Sequence, residues 1–147
     1  MRKMKNSKGF TLMEMLIVVA IIAVLVAVMI PTMTSALEKS REAADLANTR
    51  SAYAQLLVAG LTEEDPTAYN TPDGIVTYSR SGANEDAYVY TAVVKLTQKQ
   101  DGWKTTNADT AVAGLKATGS PVAGGVATVT YTVSTGKVAI TYGAANG

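Results

Sequence analysis

Polar residues all but vanish between Phe10 and Ile30. Of these 21 residues only Thr11 and Glu14 are polar. As a helix rising ~1.5 Å per residue, the run reaches about 30 Å, the hydrocarbon thickness of a bilayer. Pro31 closes it, and a loosened or bent turn is expected there, because proline removes one backbone donor from a helix. From Thr32 the pattern turns amphipathic. Leu37, Ala44, Ala47, Ala54, Leu57, Val58 and Leu61 recur at helical spacing, while Glu38, Lys39, Arg41, Glu42, Asp45 and Arg50 fall mostly on other faces. This spacing predicts an Ala/Leu stripe packed on a sheet, with a charged, solvated side away from it. Gly60 and Pro66 both oppose continuation, so the helix is expected to stop near Leu61.

Residues 62–86 carry "TEEDPT", "NTPDG" and "RSGANED" and read as loop, with a short strand admissible at Ile75–Tyr78. "AYVYTAVVKLTQ" (87–98) is β-branched and aromatic and predicts a strand. A turn at "QDG" (100–102) admits a return strand over Trp103–Thr106. The plainest signal is last: "VATVTYTV" and "KVAITYG" flank Ser134-Thr135-Gly136, a three-residue hairpin loop with glycine at the left-handed position. Val126, Thr128, Thr130 and Thr132 alternate with Ala127, Val129, Tyr131 and Val133, so one face is exposed and one buried. The expected class is α+β: a long N-terminal helix, apolar then amphipathic, packed on a small antiparallel sheet spanning about 87–143. A hairpin alone is marginal in water, so the sheet needs the helix. The segments expected are 1–9 (a basic arm), 10–31 (the apolar helix), 32–61 (the amphipathic helix) and 62–147 (the head).

Composition narrows the chemistry. The chain is 147 residues long, enough for one modest domain, and contains neither cysteine nor histidine. Disulfides and thiolate metal sites are therefore excluded, and the commonest general base is missing. No convergent pair of carboxylates stands out, so no catalytic residue, metal site or cofactor is expected and the chain is read as a non-enzyme. The net charge of +1 hides a polarity: Arg2, Lys3, Lys5 and Lys8 place +4 in the first nine residues and leave −3 for the rest. A mildly acidic body offers no broad footprint for nucleic acid, and DNA binding is not expected. Arg80, Lys95, Lys99, Lys104, Lys116 and Lys137 read as scattered surface charge. Asp101, Asn107 and Asp109 are oxygen donors in a loop but lack a calcium-ligand spacing. The basic arm before an apolar run reads as a signal keeping the N-terminus in the cytoplasm.

Glu14 is then the residue to explain, since a carboxylate deep in a membrane helix costs roughly 2.5–3.5 kcal/mol on insertion scales. A secretory signal peptide cut near "TSA" (34–36) would have a shorter apolar run and no acid. An unprocessed single-span anchor leaves Glu14 without purpose. The run "KGFTLMEM" (8–15) as a whole resembles the type IV prepilin family: a short basic leader ending in glycine, then Phe, Thr-Leu, and Glu at the fifth mature position.

That resemblance implies cleavage between Gly9 and Phe10 by prepilin peptidase, N-methylation of Phe10, a role for Glu14 in subunit register, and helix loosening at Pro31. It also implies a single-pass precursor in the cytoplasmic membrane, N-terminus inside. That precursor would be polymerised by pilus assembly machinery into an extracellular filament of identical subunits. The nine-residue leader resembles the type IVa and pseudopilin branches. Many Gram-negative major pilins close a C-terminal loop with a disulfide, so the lack of cysteine turns the resemblance towards a Gram-positive pilin or a pseudopilin of a secretion or competence system. A membrane-anchored binding module stays open as the rival from another class.

Overall fold

The computed structural model describes residues 9–145, so the basic arm Met1–Lys8 lies outside the described residues. The fold is α+β: one helix, α1 (Leu12–Thr62), then β1 (Val76–Ser81), β2 (Val89–Lys95), β3 (Val126–Thr132) and β4 (Lys137–Gly143). The chain divides into two compact units, residues 1–36 and 37–147. In the first, the helix exposes nearly all its apolar side chains, from Leu12 and Met13 through Leu25 to Ile30 and Met33. Its most apolar window is long enough and apolar enough to cross a membrane and is not buried within the protein. The helix runs unbroken through Pro31. Proline's missing donor thins the ladder there, and the hydroxyls of Thr32 and Thr34 donate back to the Met29, Ile30 and Pro31 carbonyls at 2.9–3.1 Å.

In the second unit the strands form an antiparallel meander in the order β1-β2-β3-β4. Its register stacks rows of large and small residues on one face. Tyr78, Ala92, Val129 and Ile140 make one row; Val76, Val94, Ala127 and Tyr142 make the next. These residues are buried in one cluster with Leu46, Ala52, Leu56 and Ala59 of α1. The alternation read for residues 126–132 holds: Ala127, Val129 and Tyr131 are buried and their neighbours half-exposed.

The strand admitted at Ile75–Tyr78 is present and longer, running Val76–Ser81 and pairing fully with β2, so the sheet begins ahead of residue 87; two other expectations fail. Trp103–Thr106 forms no strand, and Leu96–Gly125 is irregular apart from a short 3-10 turn at Ala108–Thr110 and a parallel bridge from Thr118 to Thr141 of β4. The β3–β4 connection is a 3-10 turn, Val133–Thr135, closed by left-handed Gly136 (φ 64°), one residue longer than read.

The largest correction concerns the helix face. Leu37 and Val58 are each 50% exposed, Leu61 73%, and Ala44, Ala47 and Ala54 also face solvent; only Leu57 is partly covered. The buried side is Glu38, Glu42, Asp45, Leu46, Thr49, Ala52, Leu56, Ala59 and Gly60. Gly60 does not end the helix. A Cβ there would lie 2.4 Å from the Tyr131 ring, so glycine is what lets β3 close on the helix. Termination comes two residues later. Glu63 adopts a left-handed φ of 60°, and the Glu64 amide donates to the Ala59 carbonyl at 3.1 Å, a Schellman closure with a side chain where glycine is usual.

Candidate functional site

The motif residues 9–14 surround the start of α1. Gly9, Phe10 and Thr11 precede the first helical residue, and Gly9 has no atom within 4 Å of where a Cβ would stand. Phe10 is fully extended into solvent at 79% exposure.

Thr11 and Glu14 close a reciprocal capping box. The Glu14 Oε2 accepts the Thr11 amide at 2.7 Å and the Thr11 hydroxyl at 2.9 Å, while the Glu14 amide points back at the Thr11 Oγ1 at 3.2 Å. Two helix-end amides are thus satisfied reciprocally, that of Thr11 by the acid and that of Glu14 by the hydroxyl. The sequence carries this signal as Thr-x-x-Glu before an apolar run, a capping function additional to the register role expected of Glu14. Among the described residues Oε1 of Glu14 accepts no hydrogen bond. Pro31 lies 17 residues beyond Glu14 and shares no contact geometry with it.

A second polar cluster stands where the sequence predicts a charged, solvated side. Glu38, Glu42 and Asp45, at i, i+4 and i+7 on α1, are buried against the irregular Leu96–Gly125 segment. Glu38 Oε1 accepts the amides of Lys99 (2.6 Å) and Gln100 (2.7 Å), and its Oε2 takes Arg41 Nη1 at 3.0 Å. Glu42 accepts the amides of Lys104 (2.6 Å) and Thr105 (2.9 Å) and the Thr105 hydroxyl (2.7 Å). Asp45 accepts the Thr97 amide on both oxygens at 2.9 Å, the Thr97 hydroxyl at 2.8 Å and the Gln98 amide at 3.1 Å. Burial alone would raise the Glu38 carboxyl, but the Gln100 amide, the Arg41 guanidinium and the Lys99 amide outweigh it and hold the group below its ordinary value. Charged acceptors with paired amide donors are among the stronger hydrogen bonds.

These acids are occupied by backbone donors, not by a metal: no group of three or more candidate ligands for a metal ion occurs among the described residues. Asp101, considered above as an oxygen donor, accepts the Ala123 amide at 2.8 Å and closes its own loop. An open concavity of about 530 Å³ on the outer sheet face is lined by Thr77, Val93, Lys95, Val126 and Thr128 among others, with Lys95 the only ionisable lining residue.

Residues 4–30 match a family described as the prokaryotic N-terminal methylation motif. None of the curated proteins and none of the solved structures matches. The matched segment contains Gly9, Phe10, Thr11 and Glu14 and nearly all of the exposed apolar helix, which together point to a membrane-anchored precursor. The motif indicates a type IV pilin-like protein of the kind that prepilin peptidase processes.

Proposed function

We propose that this chain is a structural subunit of a type IV pilus filament, without enzymatic activity of its own, cleaved after Gly9, methylated at Phe10 and polymerised through its N-terminal helix. One observation carries the reading: a helix exposing apolar side chains from Phe10 to Met33, headed by the matched methylation motif. Such a surface is stable in lipid or against other apolar helices and nowhere in water. The segment therefore serves first as a single-pass anchor, N-terminus inside, and then as the core of a homopolymer outside the cell. Assembly machinery moves it from one to the other without wetting it.

Glu14 has its place in both settings. Held by Thr11 it is satisfied at the membrane face, and its Oε1 stays available. Once cleavage converts the Phe10 amide into a cationic amine, a neighbouring subunit displaced along the axis can bring that amine to Glu14. An unpaired charge in an apolar bundle is heavily penalised, so the pair selects one register by excluding others. Pro31, with its missing donor, is the place where the helix would loosen on packing. The same features suit a pseudopilin of a type II secretion or competence system, which differs in filament length and location.

Intact mass spectrometry of the cellular protein tests the processing: the expected mass lacks residues 1–9 and carries one added methyl group. A mature chain starting at Met1 overturns the reading in favour of a tethered binding module. In cells without a wild-type copy, Glu14→Leu is expected to insert yet leave no filaments in electron micrographs. Abundant normal filaments from that variant would remove the register role.

A further inference from the structure

We infer that Glu38, Glu42 and Asp45 form an acid-labile latch, closed at neutral pH, that holds the Thr97–Thr105 stretch on the helix and lets it go on acidification while the sheet stays folded. The inference stands on which oxygens are used. In all three carboxylates both oxygens already accept hydrogen bonds from groups that can only donate: backbone amides for Glu42 and Asp45, amides and a guanidinium for Glu38. A proton on any of the five oxygens that meet amides sets an O–H against an N–H, whereas Glu38 Oε2 meets only the half-exposed Arg41 of its own helix. The Thr97 and Thr105 hydroxyls can turn round to accept, but the amides beside them cannot. An amide left facing a donor in these part-buried contacts loses its partner. Protonation at those five oxygens therefore cannot be absorbed in place, and the loop has to move.

The charged and titratable groups around the latch are few. On α1, Arg41 pairs with Glu38, and Arg50 donates to the Ala111 carbonyl at 2.9 Å. From the irregular segment Lys99 and Lys104 offer their amides to the carboxylates. From β4, Tyr142 faces Asp45; its hydroxyl, pushed up to about 12 chiefly by burial, stays neutral throughout the acid range. The sign follows from Glu38, whose carboxyl is lowered in the folded protein. Its contribution is complete above the unfolded value and is lost as pH falls through the folded one. Release is coupled, because the three carboxylates hold a single stretch of nine residues: opening at one weakens the closure at the next.

What holds the sheet does not titrate with them. The rows of Val94, Ala127, Val129 and Ile140 are apolar, and β1 to β4 pair along their full lengths. The result is a head with two states sharing one sheet, differing in whether the Thr97–Thr105 stretch lies on the helix, while Thr118 stays bridged to β4.

Trp103 reports the latch directly. It is the only tryptophan, lies between the Gln100 and Lys104 anchors, and packs edge-on against Tyr142 at 5.1 Å between ring centroids. The full chain in detergent micelles is titrated from about pH 7.5 to about pH 3, through the ordinary carboxylate range, with Trp103 emission and far-ultraviolet circular dichroism followed together. The expected result is a reversible red shift of emission in acid, steeper than a single-proton curve, with the dichroism unchanged. Glu42→Gln, which points an amide NH2 at the Lys104 or Thr105 amide, is expected to red-shift emission already at neutral pH and to flatten the remaining acid step. Emission that stays constant over the whole range, or that shifts only when the dichroism collapses with it, overturns the latch. So does a Glu42→Gln protein with wild-type dichroism, emission and pH profile.

Discussion

Glu63 shows how much one residue can carry at low cost. Its left-handed backbone ends a helix of 51 residues. For a side chain with a Cβ that conformation costs roughly 1–2 kcal/mol relative to right-handed backbone. The Glu63 carbonyl, not its side chain, is used, accepting Arg80 Nη1 at 3.2 Å. Glu63→Gly is therefore expected to raise stability by about 0.5–1 kcal/mol, the strain relieved less the extra freedom glycine gains when unfolded. A higher thermal midpoint by circular dichroism checks this, and a lower one would mean that the carboxylate matters. Glu14 and Glu38 make the complementary point. Both are acids at sites where an acid looks misplaced, one at the head of an apolar run and one on a helix face turned inward. Each is explained by the N–H groups it accepts.

The division between what was legible and what was not is clearest for the elements. The alternation over 126–132 and the glycine at 136 state the hairpin outright, since each strand there buries one face only. The apolar run before Pro31 states a helix by length and uniformity. The second half of α1 misleads, because its buried face is the polar one. Glu, Glu and Asp at i, i+4 and i+7 read as a solvated stripe unless their partners are known, and those partners lie 52–63 residues away in a segment without periodicity. Leu56 and Leu57 also look interchangeable in sequence, yet Leu56 is 1% exposed and Leu57 only half-covered. Leu56→Ala is expected to cost about 2–5 kcal/mol. Val58→Ala, on the open side, is expected to change stability by less than about 0.5 kcal/mol. Denaturant titration of the two variants side by side measures the difference. Equal losses would restore the Ala/Leu stripe as the packing face.

For the whole molecule, the motif and the architecture bear on different steps. Residues 4–30 hold everything that the matched family describes, and residues beyond them hold the sheet and the latch. Processing is therefore expected to survive changes in the head. A chain with Leu56→Ala should still be cut after Gly9 at the wild-type rate so long as it reaches the membrane, which immunoblotting of precursor and mature forms reads. Loss of cleavage in such a variant would show that the peptidase requires more than the exposed segment around Gly9.

The latch also has a place in time. Neighbouring strands of the meander close over modest distances in sequence, apart from the excursion between β2 and β3, whereas each carboxylate anchor joins residues 52–63 apart. Closing so long a loop carries an entropic cost that grows with the logarithm of its length, and one closure serves all three anchors. The helix and sheet must already be docked before the carboxylates have amides to meet, which places the latch after the folding barrier. Interactions formed that late govern how fast a protein comes apart rather than how fast it forms. Asp45→Asn is thus expected to quicken unfolding of the full chain in micelles, followed by Trp103 fluorescence, by about tenfold for a loss near 1.4 kcal/mol, with the refolding rate nearly unchanged. A variant that instead refolds slowly would place Asp45 in the nucleus. A chain without a single cysteine would then owe the slow unfolding of its head to three carboxylates that engage last and must release first.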